Sequence, residues 1–274
     1  MKIYISSDME GSAGVVDWDQ CRPGGAQYEY YTGLLSGEVN AAIEGAVGGG
    51  ATEVVVNDSH GAMANLRPDT LACSARYISG RYKPMYMMEG LDRSYDAVFF
   101  VSYHGSMSSD ASTLSHTYFP GAIAEVSING TVAGESGLNA LVALAYEVPV
   151  VLVTGDETTT AEAGKFCPGA RTAVVKRSIS RFAAESLHPL AARSLIREQA
   201  CQAVREASSA PGVAIDMPAT VAVRFRTSDY AELAARVGGV QRTGPLSATI
   251  GGEGPLALFR TFITVVLLCR GLTE

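Results

Sequence analysis

The sequence of 274 residues has little of what marks several large functional classes. Its cysteines are five, Cys21, Cys73, Cys167, Cys201 and Cys269, an odd number with no CxxC pair. That argues against a disulfide framework and leads us to expect a reduced, cytoplasmic protein. No Lys/Arg-rich run is present and the formal net charge is −7, which argues against nucleic acid or an anionic membrane as a partner. The longest hydrophobic stretch, Phe262 to Cys269, is too short for a membrane span and is flanked by Arg260 and Arg270. Met1-Lys2 leads directly into strand-like residues, so no signal peptide is expected. Gly24-Gly25 and Gly251-Gly252 lack the spacing of a dinucleotide fingerprint or a P-loop, and no GxSxG elbow is found. No nucleotide cofactor is therefore expected.

What is present is a chain with 47% hydrophobic and 18% charged residues, long enough to bury a sizeable core without covalent staples. Strand-like runs (Lys2–Ser7, Glu53–Asn57, Asp96–Ser102, Val148–Thr154, Ala173–Lys176) alternate with helix-like ones (Tyr28–Val47, Gly134–Tyr146, Pro189–Ala207). That alternation predicts an α/β fold, a three-layer core with a mainly parallel sheet. Asn129-Gly130 between two β-branched runs predicts a hairpin. Ser208–Pro218, with two prolines, divides the chain into a metal-binding catalytic α/β domain at residues 1–210 and a smaller C-terminal α+β portion at 211–274. The latter is expected to contribute to an oligomer or a lid.

The most informative residues lie just past the end of each strand. The first strand runs into Ser7-Asp8-Met9-Glu10-Gly11, the second into Asn57-Asp58-Ser59-His60-Gly61, and Asp96–Ser102 into Tyr103-His104-Gly105. Open α/β sheets bind ligands outside the carboxyl ends of their strands, so these exits deliver carboxylate and imidazole toward one crevice. Of only four histidines, His60 and His104 lie at such strand exits and His116 in the loop Ser112–Pro120, while His188 precedes a proline at a helix start and is set aside. Imidazole with carboxylate suits zinc or another borderline divalent ion. Asp8 and Glu10 share a face if the segment is extended, and a cation between them removes their repulsion. Each residue also has an ordinary role open to it: Asp8 as a turn cap, His60 and His104 as satisfied loop histidines, Glu135 as a helix N-terminal acid. Asp58 either orients His60 or closes an Asx turn. Tyr82–Met88 reads as packing or interface rather than a cofactor box.

Taken together, SDMEG, NDSHG, YHG, SHT and NGTVAGESGLNA, in that order and spacing, resemble the D-aminopeptidase family of zinc peptidases, family M55. The likeness covers Met1 to about Arg181. It implies a site with two zinc ions, Asp8 bridging them and Glu10, His60, His104 and Glu135 completing the ligands. His116, in the SHT motif, takes the place of the family's catalytic histidine. It also implies a homo-oligomeric ring, a decamer of two stacked pentamers, and short peptides with small N-terminal residues such as D-Ala as substrates. Ser102 departs from the family's glycine before Tyr-His.

The expected chemistry is zinc-dependent hydrolysis of the N-terminal peptide bond of a short peptide. An L-specific aminopeptidase would carry the same metal motifs. A binuclear phosphoesterase is the rival from another class; it predicts basic residues near the site, and none of the strand-end motifs carries Lys or Arg. A metal- or peptide-binding protein without activity would be favoured by an incomplete ligand set.

Overall fold

The computed structural model describes residues 1–272. Its elements in chain order are β1 (Lys2–Ser7), α1 (Trp18–Cys21), α2 (Tyr28–Gly49), β2 (Glu53–Asp58), β3 (Ala75–Ile78) and β4 (Ala97–Tyr103). Next come β5 (Ile123–Ile128), β6 (Thr131–Val132), α3 (Glu135–Tyr146), β7 (Val150–Asp156), α4 (Glu157–Gly164), β8 (Arg171–Ser180) and β9 (Ala183–Ser186). The chain continues through α5 (Pro189–Glu206), β10 (Val221–Phe225), α6 (Ser228–Ala234), β11 (Val240–Gly244), β12 (Ser247–Ile250) and α7 (Pro255–Arg270). Among the described residues no helix is long and apolar enough to cross a membrane.

Seven strands form one sheet in the order β3-β2-β1-β4-β7-β8-β9. All neighbours are parallel except β8 and β9, as the expected α/β class requires. β4 and β7 are buried along their whole length, which explains their near-continuous apolar sequence. Residues of alternate parity pack on opposite faces. Ile3, Ile5, Val54, Val56, Phe99 and Val101 meet α2 and α5, while Tyr4, Val55, Val98 and Phe100 join the core shared with α3 and α7. The Asn129-Gly130 turn does form a hairpin, β5–β6, with both residues at positive φ.

That hairpin belongs to a second sheet, antiparallel, in the order β11-β12-β10-β5-β6. β5 pairs with β10, so the sheet takes strands from both sides of residue 210. The apolar stretch Phe262–Cys269 lies in α7, whose Phe262, Ile263, Val265 and Val266 are buried in the common core.

The sheet's active end is closely packed. A Cβ added at Gly11 or at Gly155 would overlap the carbonyl oxygen of Tyr103, and Gly155 has φ +153°. Backbone cannot yield there as a side-chain tip can. Gly155→Ala is therefore expected to destabilise the fold by about 3 kcal/mol, lowering Tm by roughly 6–10 °C. Gly212→Ala, with open space around the new methyl, should leave Tm nearly unchanged in the same calorimetric comparison.

Candidate metal centre

β2, β1 and β4 are adjacent and parallel, so their carboxyl ends open onto one side of the sheet. After β1 the chain turns instead of extending: Asp8 N–H donates to Val101 O (2.9 Å), Gly11 N–H to Ser102 O (2.8 Å) and Ser12 N–H to Met9 O (3.0 Å). The turn still aims both acids at one point. His60 Nδ1 lies 3.2 Å from Asp8 Oδ1 and 2.9 Å from Glu10 Oε2. Below the turn, the buried Lys176 on β8 donates to the carbonyls of Glu10 and Val15. Burial pushes its amine down to about 8. Glu38 accepts from Ala13 N–H (2.8 Å) and from the Ser102 hydroxyl (2.7 Å). Ser102, where the resemblance has glycine, sits at φ +61°. Glycine adopts that conformation at no steric cost, and here the Ser–Glu38 hydrogen bond accompanies the strained residue.

After β2, Asp58 accepts from Asn65 N–H (2.5 Å) and Leu66 N–H (2.8 Å) and from the Asn65 side chain (2.8 Å). Its task is to close the 58–66 loop. His60 is oriented by the main chain instead, with Nε2 donating to Cys21 O (2.8 Å). His104 Nδ1 donates to Gly105 O (2.9 Å) and turns Nε2 to Asp8 Oδ2 (3.3 Å) and Glu135 Oε2 (3.7 Å). His116 repeats the device, Nδ1 on Leu114 O (3.0 Å) and Nε2 3.6 Å from Glu135 Oε1. Glu135 opens α3 and also accepts from Tyr118 N–H (2.7 Å). The His104 and His116 rings stack at 4.2 Å with an 11° tilt, and Trp18 meets the edge of this pair, 5.6 Å from His116.

A backbone carbonyl only accepts, so in each of the three histidines the nitrogen facing it carries the proton. The other nitrogen of each ring faces carboxylate oxygens. Carboxylates buried together there repel unless a proton or a metal cation lies among them. Asp8 Oδ2, Glu10 Oε2 and His104 Nε2 are buried and find no hydrogen-bond partner. Three groups offer ligand atoms within 4.8 Å of one another: Asp8–His104–Glu135, Glu10–His104–His116 and Glu10–Cys21–His60. The donor set of imidazole and carboxylate, with the outer nitrogen of each ring tied to a carbonyl, fits zinc.

The same geometry explains the site's proton affinities. Burial works against charge on His104, but Glu135 and Asp8 raise it to about 10. His60 is likewise lifted well above its usual range by Glu10 and Asp8 against the effect of burial. Burial favours the protonated form of Asp8, and the neighbouring His104 and His60 hold it well below the usual carboxylate range. Glu135 is pushed up to about 8 by burial, and His116 down to about 4 by burial and then by His104.

All six residues singled out in the sequence thus converge. His188 lies elsewhere, its Nδ1 accepting from Leu190 N–H at the start of α5. Asp8, Glu10, His60, His116 and Glu135 line a cavity of about 300 Å³, whose walls also include Trp18, Cys21, Arg22 and Arg270. None of these last four comes directly after a sheet strand, and the sequence offers no local signal for them. The two arginines supply the basic residues that the strand-end motifs lack. Tyr86 and Met87, from the segment read as packing, also line the cavity, and Met87 O accepts from Ser6 Oγ and Asn57 Nδ2, both at 2.8 Å.

The profile of the peptidase M55 family, described as D-aminopeptidase, matches residues 1–264. The chain belongs to the D-aminopeptidase family. Among curated members, the D-aminopeptidase of Bacillus subtilis (strain 168) is 35% identical over 270 residues, 98% of this chain and 97% of that one. Among solved structures of the family, the Zn-dependent D-aminopeptidase DppA from Bacillus subtilis, described as a self-compartmentalizing protease, superposes with a TM-score of 0.94. That match covers 100% of both chains at 33% identity.

If these side chains hold zinc, His104→Ala and Glu135→Ala should each weaken zinc binding by more than the roughly 10–100-fold typical of an outer-sphere change. Metal analysis after dialysis against a graded chelator should show this, with His188→Ala retaining the wild-type content.

Proposed function

We propose that the protein is a zinc-dependent aminopeptidase that releases the N-terminal residue of short peptides, with D-amino acids such as D-Ala as the preferred class. The observation that carries this reading is the shared orientation of His60, His104 and His116. Each ties one ring nitrogen to a carbonyl and turns the other on the buried oxygens of Asp8, Glu10 and Glu135. Membership of the D-aminopeptidase family and the likeness to DppA support the substrate class.

Two zinc ions would be held by Asp8, Glu10, His60, His104 and Glu135, with Asp8 between them; its two oxygens face different histidines, Oδ1 toward His60 and Oδ2 toward His104. Bound zinc supplies a Lewis acid for the scissile carbonyl and a water acidic enough to attack near neutral pH. His116 has the role of proton carrier. Its Nδ1 is fixed on Leu114 O, so Nε2 is the atom that takes a proton from the attacking water and returns it to the departing amine. Stacking on His104 and the edge of Trp18 hold the ring in that pose.

The chain is further proposed to assemble with copies of itself into a ring, as the description of DppA supports, with residues 211–274, joined to the 1–210 catalytic portion through β10 and α7, contributing to that oligomer or to a lid. Ile179, Phe182, Leu187 and Leu190 are exposed around the edge strand β9, an apolar set that suits such a contact.

Zinc-loaded protein should release D-Ala from D-Ala-D-Ala, and chelation should abolish this. Cleavage of L-Ala-L-Ala alone would keep the mechanism and overturn the stereochemical assignment; cleavage of neither would overturn the substrate class. His116→Ala should lower kcat by about 10²–10⁴ with zinc content unchanged. A separate measurement bears on assembly: Phe182→Asp should shift the mass seen by light scattering from that of the oligomer toward that of one chain.

A further inference from the structure

At the edge of the metal centre lies a sulfur atom that none of the sequence motifs includes. Cys21 is the last residue of α1 and is buried. Its Sγ, a carboxylate oxygen of Glu10 and a ring nitrogen of His60 all lie within 4.8 Å of one another. Among the described residues no other cysteine belongs to such a group. A buried cysteine ordinarily behaves as a small apolar residue, and Cys21 does join the core on the α2 side of the sheet. The carboxylate beside it sets it apart. Glu10 is 1% exposed, and its Oε2 is buried with no hydrogen-bond partner. That oxygen lies 2.9 Å from His60 Nδ1, so it points into the same small space.

Local structure holds Cys21 in place. Asp17 caps the single turn of α1, its side chain accepting from Asp19 N–H (2.8 Å). The Gln20 side chain accepts in return from Asp17 N–H (3.0 Å) and Val16 N–H (2.7 Å), completing a capping box. Cys21 O accepts from His60 Nε2 at 2.8 Å. One residue thus orients His60 through its carbonyl and offers sulfur to the same centre.

We infer that Cys21 is a zinc ligand, its thiolate joining Asp8, Glu10 and His60 on one side of the centre. This rests on the reading with two zinc ions and divides the centre by ligand count. The Cys21 side has four protein donors, the number that closes a tetrahedral zinc site. The other side has Asp8, His104 and Glu135, three donors, the number that leaves a position for water. His116 stands on that second side, its ring stacked on His104 and its Nε2 3.6 Å from Glu135 Oε1. The proton carrier is therefore beside the open position. Coordination releases the thiol proton to solvent. A thiolate among the donors also favours zinc over hard cations such as Mg²⁺ or Mn²⁺ on the Cys21 side.

X-ray absorption at the zinc edge tests this on loaded wild type, Cys21→Ala and Cys167→Ala in thiol-free buffer. Wild type should show a sulfur shell at about 2.3 Å beside nitrogen and oxygen at about 2.0–2.1 Å. Cys21→Ala should lose the sulfur shell. It should also hold one of its ions at least about tenfold more weakly against a graded chelator, since even outer-sphere changes cost that much. Cys167→Ala, which removes a buried cysteine outside the centre, should keep both the shell and the affinity. Zinc-loaded wild type without any sulfur shell overturns the proposal, whatever the variants do. A sulfur shell that persists in Cys21→Ala overturns it as well. A chain that takes up no zinc instead overturns the metal reading, and the ligand with it.

Discussion

The structure is organised around the burial of three carboxylates, Asp8, Glu10 and Glu135, within reach of the same imidazoles. Taking each of these charges out of water costs several kcal/mol unless positive charge meets it. The fold meets it in layers. His60 and His104 face the oxygens directly, and Lys176 holds the main chain of the Glu10 turn from beneath. A cation at the centre would complete the balance, and the three ring nitrogens that face the carboxylates are clear of protein donors.

The sheet order makes this possible. With β1 at the centre, flanked by β2 and β4, three loops separated widely in sequence leave the sheet side by side. Behind them a buried hydroxyl network runs from Ser6 through Tyr103 to Asn139 and Tyr118, with contacts of 2.6 to 2.9 Å. It links β1 and β4 to α3 and to the loop that carries His116. Such a chain of satisfied polar groups fixes positions more sharply than apolar contact does.

The residues legible in the sequence are those whose place is set locally. Asp8, Glu10, His60 and His104 come within a few residues of apolar strands, and a strand's end shows in its own composition. Glu135 shows only as a helix-starting acid, because its turn toward His104 depends on the distant Tyr118 N–H. β3 and β9 leave no such mark, being short edge strands with exposed positions and no apolar run. Asp58 has two readings that sequence leaves level; the amides of Asn65 and Leu66 decide between them. Arg270, Arg22, Trp18 and Cys21 arrive from a short turn and from the far end of α7, through contacts that no local pattern encodes.

The pairing of β5 with β10, and the packing of α3 against α7, have a bearing on how the protein is made. The loop with His116 and the helix that begins at Glu135 lie on either side of β5–β6, a hairpin whose neighbouring strand is drawn from residues 221–225. A ribosome that has delivered every metal-site motif has therefore not yet delivered the partners that hold two of them in place. The loop of His116 and the helix of Glu135 thus gain their packing partners only once the chain through α7 is in place.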